Sequence, residues 1–306
     1  MLVGVMDSER RMLYRSTAPS LGLSQEELLA TLERELRMAI DARPDAVGAG
    51  LGIPCTIDRD RGVAILAVNL DLADVAVGEV MSERLGLPVT IDNDANLAVL
   101  AEHRFGAARG AQNAVMLTIG TGIGGGLIIG GRLYRGSIGA GAELGHVVIE
   151  ADGPRCQGNC PNRGCVEALA SGTAIAREGL AAAKGTPDSA LGRALAEGAE
   201  IDGKEVTDAA LAGDEAARRV LDLIGRRLGV ALSSLANAFN PDVIVIGGGA
   251  IRAGELLTGP AQAELASRAL PPMNATRVAA AALGPEAGMV GAATMVMLER
   301  SGAEVA

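Results

Sequence analysis

Three of the chain's four cysteines and one of its two histidines fall within residues 143–167. The stretch reads Glu143-Leu-Gly-His146, nine residues, Cys156, three residues, Cys160, four residues, and then Cys165-Val-Glu167. Soft thiolates and an imidazole this closely spaced can close a tetrahedral shell around zinc, so the pattern reads as a structural Zn²⁺ site. A disulfide with a spare thiol, or a set of buried thiols, would use the same residues. Gln157, Gly158, Asn159, Pro161, Asn162 and Gly164 mark the segment as a loop and not a core strand. Glu143 and Glu167 bracket the cluster without being needed as ligands. Two carboxylates fixed near one another suit the hydroxyls of a sugar.

A second chemical signal is Gly120-Thr121-Gly122-Ile123-Gly124-Gly125-Gly126, which follows the apolar run Ala114–Ile119. Glycines at the end of a strand let backbone N–H groups approach phosphate oxygens unobstructed. The same residues could form only a tight turn, and the pattern predicts a hairpin with a glycine tip and a return strand at 127–129. It is not a P-loop, lacking the Lys-Ser/Thr ending, and it leads into a strand where a dinucleotide fingerprint leads into a helix. Asp92-Asn93-Asp94 opens a helical stretch. Capping is the plain role for such residues, and a carboxylate poised to take a proton from a substrate hydroxyl is the chemical one. Gly247-Gly248-Gly249, after another apolar run, reads as a turn or as a flat bed for a nucleotide base. Together these features suggest ATP-dependent phosphorylation of a hydroxyl.

Alternating strands and helices must position these groups. Strands are predicted at 2–6, 12–16, 46–51, 89–91, 114–119 and 242–246. Helices are predicted from the Ser24/Glu27 capping box to Pro44, and at 75–85, 95–105, 215–238 and 286–298. This is an α/β pattern with no internal repeat. The 306 residues favour about two domains, and 42 glycines imply many turns and close backbone approaches. A net charge of −10 argues against a nucleic-acid surface. No signal peptide and no run of eighteen apolar residues is evident, so a cytoplasmic protein with no membrane partner is expected. Cys55, His103 and Asn69 read as ordinary core or surface residues.

The ordered set IDNDAN, TIGTGIGGG, ELGH, the cysteine loop and VIVIGGG resembles the ROK family of sugar kinases and repressors, over nearly the whole chain. Within that family it is most similar to bacterial glucokinases. The resemblance implies an actin-like/hexokinase-type, ribonuclease H-like fold of two α/β domains with a sugar cleft between them. It implies a smaller domain, 1–107, completed by a C-terminal helix at about 286–306, and a larger one, 108–285, carrying a zinc loop at 146–165. Asp94 would be the general base on the 6-hydroxyl of glucose, with Asn93, Asp94, Glu143, His146 and Glu167 binding the sugar. His146, Cys156, Cys160 and Cys165 would hold structural Zn²⁺. Gly120, Thr121, Gly122, Gly124 and Gly125 would meet the phosphates of Mg-ATP, and Gly247, Gly248 and Gly249 would lie by the adenosine. A homodimer is implied as well.

The pattern departs from the family's in two places. The cysteine loop usually runs Cys-x-Cys-x4-Cys, whereas the first gap here is three residues. Family members also begin with a strand and an Asp-x-Gly-Gly-Thr-Lys phosphate motif, and Met1-Leu2-Val3-Gly4-Val5-Met6-Asp7 resembles the strand after it. An internal methionine taken as the start, or a truncated chain that binds sugar but phosphorylates poorly, would account for this. Another hexose, an N-acylated amino sugar, or a sensing role like that of the family's repressors are the alternative expectations. An upstream phosphate motif would mark a kinase, and an upstream basic helical domain a repressor.

Overall fold

The computed structural model describes residues 1–59, 61–67 and 70–302; Asn69 and the end of the expected C-terminal helix, 303–306, lie outside the described residues. The chain forms two compact units. Unit 1 comprises Met1–Gly110, Gly126–Ala142 and Pro285–Ala306, and unit 2 comprises Ala111–Gly125 and Glu143–Gly284. Residues 126–142, expected within the larger domain, therefore cluster with unit 1.

Unit 1 opens with β1 (Leu2–Met6) and β2 (Met12–Thr17), an antiparallel pair. The predicted capping box then starts α1 (Gln25–Ala42), with the Ser24 side chain accepting from the Glu27 amide and Glu27 reaching back to Ser24. β3 (Ala49–Ile53) begins three residues later than expected, after the turn that closes on Arg43. Next come β4 (Cys55–Asp58), β5 (Val63–Ala67) and β6 (Ala73–Val75), an antiparallel meander absent from the sequence reading. Strands of three to five residues are too short to set up a legible alternation. α2 (Val77–Leu85) ends on Gly86 in the left-handed region, as its Gly86/Pro88 stop signal requires. β7 (Val89–Asn93), parallel to β3, runs directly into α3 (Asp94–Phe105). Leu28, Leu51, Ile53, Ile57, Met81 and Ile91 form a core here, and Cys55 belongs to it.

In unit 2, β8 (Ala114–Ile119) is followed by β9 (Ile123–Ile129), which passes into unit 1 after Gly125 and there pairs antiparallel with β10 (Arg132–Tyr134). Helices α4 (Val166–Ala170), α5 (Gly172–Gly185), α6 (Ala190–Ala196), α7 (Gly203–Leu211) and α8 (Glu215–Phe239) follow. The chain then lays down β11 (Val243–Gly247), α9 (Glu255–Arg268) and β12 (Arg277–Ala280). The sheet of unit 2 has the order β9-β8-β11-β12, with β8, β11 and β12 parallel. β11 is buried along its whole length, which is why it is a continuous apolar run. α8 buries Val220, Ile224, Leu228, Ala231 and Leu235, the stripe its helical spacing predicts.

α10 (Ala287–Arg300) returns the chain to unit 1. A Cβ on Gly291 would fall on the Leu97 carbonyl of α3, and one on Gly50 would fall on the Ala292 carbonyl. The small residues of the last helix therefore let it lie close against α3 and β3.

One expectation is corrected. The glycines at 124–126 are not at the tip of a hairpin, because β9 already begins at Ile123 and includes them. The turn is 120–122, closed by the Gly120 amide donating to the Gly122 carbonyl at 2.9 Å. Gly126 serves packing: a Cβ there would meet Val99 Cγ1 at 2.7 Å and the Ala95 carbonyl at 2.8 Å, both on α3.

Candidate active site and metal centre

In unit 1, β7 ends where α3 begins, and Asp92, Asn93 and Asp94 divide the work of that junction. Asn93 is the helix cap, its Oδ1 accepting from the amides of Ala95 at 2.9 Å and Asn96 at 3.3 Å. Its Nδ2 donates to the Cys55 carbonyl on β4 at 3.2 Å. The side chain expected to bind sugar is thus already committed to local structure. Asp94 is the first helical residue, and its Oδ1 accepts from the Ala95 amide at 2.9 Å. The side chain is exposed, yet protein crowding strips water from the carboxylate and raises its pKa above 3.8, against the pull of the Ala95 amide and its own.

Asp92, which the sequence reading gave no separate role, is 2% exposed. Its Oδ1 accepts from the Asn93 amide at 2.8 Å and from Asn96 Nδ2 at 3.0 Å. Its Oδ2 accepts from Arg135 Nε at 2.7 Å, a buried ion pair. Burial pushes the Arg135 pKa down and the Asp92 charge pushes it back up. Arg135 starts a loop that closes on itself through the Gly141 amide and the Arg135 carbonyl at 2.8 Å. No short-range spacing could have announced an Arg–Asp pair 43 residues apart.

In unit 2, the 120–122 turn and the start of β9 are gripped by the chain following the cysteines. Glu167 Oε2 accepts from the Ile123 amide at 2.8 Å. A Cβ on Gly122 would land on that same carboxylate oxygen, so this glycine is required by Glu167 and not only by a ligand. The Gly172 amide donates to the Gly120 carbonyl at 2.8 Å. The Thr121 carbonyl accepts from Thr173 Oγ1 at 2.9 Å and from Gln157 Nε2 at 3.3 Å. Gln157 also donates to Ser171 Oγ, the cap of α5, at 3.1 Å. Gly145, in the ELGH motif, sits against the Ile123 carbonyl, where a Cβ would clash. Gln157, Ser171 and Thr173 were missed because isolated polar residues carry no spacing signal.

Gly247 pairs in register with Thr118, so the glycine turns after β8 and β11 leave the same carboxyl edge of the sheet. Gly248 has φ +83° and packs on the Ile119 carbonyl, whereas Gly120 and Gly249 face open space. The carboxyl edge of a parallel α/β sheet, with open backbone at its turns, is where nucleotides dock.

The metal expectation can be tested on the donor atoms. One ligand atom from each of His146, Cys156, Cys160 and Cys165 lies within 4.8 Å of all the others. Cys156 Sγ is 3.5 Å from His146 Nδ1, and Cys160 Sγ is 3.9 Å from Cys165 Sγ. A tetrahedron with zinc bond lengths has edges of about 3.4–3.8 Å, so the donor set fits that ion. A disulfide would need about 2.05 Å, and all four cysteines are free thiols. Burial is the main cause holding the thiols of Cys156 and Cys165 in the neutral form. Neighbouring thiols add to it at Cys156, whereas at Cys165 the Cys156 thiol opposes it. A bound cation would reverse the preference for the neutral form. The altered cysteine spacing is absorbed by a small knot, in which the Cys156 amide donates to the Asn162 carbonyl and the Gly164 amide to the Pro154 carbonyl. His146 Nε2 faces away from the thiols, 3.9 Å from Glu143 Oε2, and Cys156 Sγ lies 3.6 Å from Glu167 Oε1.

Of the expected site residues, then, Glu143, His146, Glu167, the cysteines and the 120–122 turn are joined within unit 2. Gly247, Gly248 and Gly249 share that unit's sheet edge, and Asn93 and Asp94 stand in unit 1.

Comparison with known proteins identifies the family. The chain is 37% identical to a glucokinase of Thermotoga maritima, covering 96% of this chain and 93% of the relative. It is similar to the crystal structure of a ROK family glucokinase from Streptomyces griseus in complex with glucose and AMPPNP. The TM-score is 0.84 and the identity 34%, over 95% of this chain and 94% of that one. A xylose repressor of Bacillus spizizenii is 29% identical over 82% of this chain and 61% of its own length. The fold shared with the solved neighbours is the actin-like ATPase fold. The ROK family model matches residues 1–299, and the chain belongs to the ROK family.

Proposed function

We propose that the protein is an ATP-dependent sugar kinase that moves the γ-phosphoryl group of Mg-ATP to the 6-hydroxyl of glucose. The observation that carries this reading is Asp94: an accessible carboxylate, fixed as the first residue of α3, with a raised pKa. A general base works best with its pKa nearer the working pH than an ordinary carboxylate's. Its Oδ1 is steadied by the Ala95 amide, and among the described residues Oδ2 receives no hydrogen bond, so Oδ2 is the oxygen that takes the proton. As the hydroxyl proton passes to Asp94, the sugar oxygen bonds to the γ-phosphorus. The bond from that phosphorus to the bridging oxygen breaks, and ADP leaves with the electron pair. Such transfers depend chiefly on alignment and charge neutralisation. The amides of Thr121 and Gly122 supply donors for phosphate, since that of Gly120 closes the turn on the Gly122 carbonyl, and the open backbone at Gly249 supplies a place for adenosine.

Glu143, His146 and Glu167 are read as sugar ligands alongside Asp94. His146, Cys156, Cys160 and Cys165 would hold Zn²⁺, which would lock the knot that orients Glu167. Similarity to glucokinases over nearly the whole chain supports glucose as acceptor. We read the enzyme as a cytoplasmic homodimer; among the described residues no helix is long and apolar enough to cross a membrane.

The test is a substrate panel of glucose, mannose, fructose, N-acetylglucosamine, N-acetylmannosamine and 6-deoxyglucose with Mg-ATP. Glucose should turn over fastest, and 6-deoxyglucose should bind without reacting. Faster turnover of another sugar would reassign the acceptor. Similarity to a xylose repressor favours a second reading, a sugar sensor; sugar binding with no phosphorylation of any panel member would select it.

A further inference from the structure

The cysteine knot is joined to the 120–122 turn by a side chain that is neither a metal ligand nor part of any motif. Gln157 lies between Cys156 and Gly158, and its Nε2 spans from the Thr121 carbonyl to Ser171 Oγ. Its backbone carbonyl accepts from the Cys160 amide at 3.3 Å, so its position is set by the knot itself. The knot touches the turn a second time through Glu167, with Oε1 beside Cys156 Sγ and Oε2 on the Ile123 amide. The remaining holds on the turn, from the Gly172 amide and Thr173 Oγ1, come from the start of α5, whose cap Ser171 is buried and also bonded to Gln157. Shifting the knot therefore shifts Gln157 and Glu167, and with them the backbone on both sides of Gly122.

We infer that the cysteine loop is a clamp on the nucleotide side of the site, and that Gln157 is a positioning residue through which metal occupancy sets affinity for the triphosphate. The inference rests on the reading of residues 120–126 as the phosphate seat. It goes beyond the orienting of the proposed sugar ligand Glu167 by the knot. Loss of the metal would let the crowded thiols of Cys156, Cys160 and Cys165 separate. Gln157 would then leave Thr121, and the Thr121 and Gly122 amides would lose their fixed aim. Preorganised donors bind an anion better than donors that must first be ordered.

The experiment compares the full chain with Gln157→Ala, each with bound zinc and each after removal of the metal by a chelator. Calorimetry measures the affinity for Mg²⁺ with a non-hydrolysable imido analogue of ATP, and separately for glucose. Removing one hydrogen-bonding side chain should weaken analogue binding by about two- to tenfold. Zinc content should stay equal to that of the parent, because the substitution leaves the Gln157 backbone carbonyl in place. In steady state, KM for ATP should rise while kcat and KM for glucose stay within about twofold, the mark of lost ground-state binding. Metal removal from the parent should also weaken the analogue, and that metal effect should shrink in Gln157→Ala, since the link is already cut. An unaltered metal effect in the variant overturns the inference, as does a variant that loses zinc or weakens glucose alone. If the zinc-loaded parent binds no analogue, the phosphate-seat reading fails and takes the inference with it. If the parent binds and Gln157→Ala binds equally well, the inference alone is wrong.

Discussion

Asp94, the proposed base, carries a cost in stability. Its folded-state pKa is raised, so the fold favours the protonated form over the ionised one. That cost is absent below the unfolded value near 3.8 and grows as pH rises through the folded value. Asp94→Asn removes the charge, so the variant should gain Tm relative to the parent, by more at pH 7 than at pH 4. The same variant should lose about 10²–10⁴-fold in kcat with glucose affinity nearly unchanged. Calorimetric melts and single-turnover assays check the two halves; most of kcat surviving would remove Asp94 from the role of base. In the parent, the acid limb of the kcat profile should lie above the pH expected for an ordinary aspartate. Asp92 is the opposite case, buried and paired. Asp92→Ala would strand Arg135 in a site that is only 13% exposed, so urea unfolding should show a loss of about 3–5 kcal/mol.

The glycine-rich segment serves two kinds of neighbour. Gly126 lets β9 lie on α3, Gly122 makes room for the Glu167 carboxylate, and only Gly120 faces open space among these three. Alanine at Gly122 should therefore act through Glu167, weakening ATP-analogue binding while zinc content stays constant, as calorimetry and metal analysis would show. Equal analogue affinity would mean that Glu167 can move aside at no cost. α10 also packs on α3 through Gly291, where a Cβ would meet backbone and not a flexible side chain. Gly291→Ala should cost about 1–3 kcal/mol, measured by urea unfolding, and should disturb the start of α3 that carries Asp94.

A metal held by His146, Cys156, Cys160 and Cys165 would act on unit 2 as a whole. Its ligands come from the Leu144–His146 turn, from the loop, and from the cap position of α4 at Cys165. Backbone hydrogen bonds also join these segments, among them those from the Val166 amide to the Val147 carbonyl and from the Ile149 amide to the Gly164 carbonyl. Elemental analysis should find one zinc per chain. Chelation should lower Tm, and added Zn²⁺ should restore it; a melt indifferent to chelator would refute a structural ion.

The long, strongly patterned elements were legible without coordinates. α8 shows its apolar stripe, β8 and β11 are unbroken apolar runs, and the Ser24/Glu27 box marks the start of α1, because burial and capping act through neighbours in sequence. The convergence of His146, Cys156, Cys160 and Cys165 was legible as well, since a tetrahedral site needs particular donor types and short spacings supply them. The short meander β4–β6 was not legible, because its strands are stabilised by partners and not by their own pattern. Nor was the division of labour among Asp92, Asn93 and Asp94: all three cap helices well, and only packing decides which is buried against Arg135, which caps and which stays accessible. Sequence alone determined which residues could do chemistry. Tertiary structure decided that Glu167 and Gln157 hold the 120–122 turn, because hydrogen bonds across 36 and 44 residues exist only once the chain has folded.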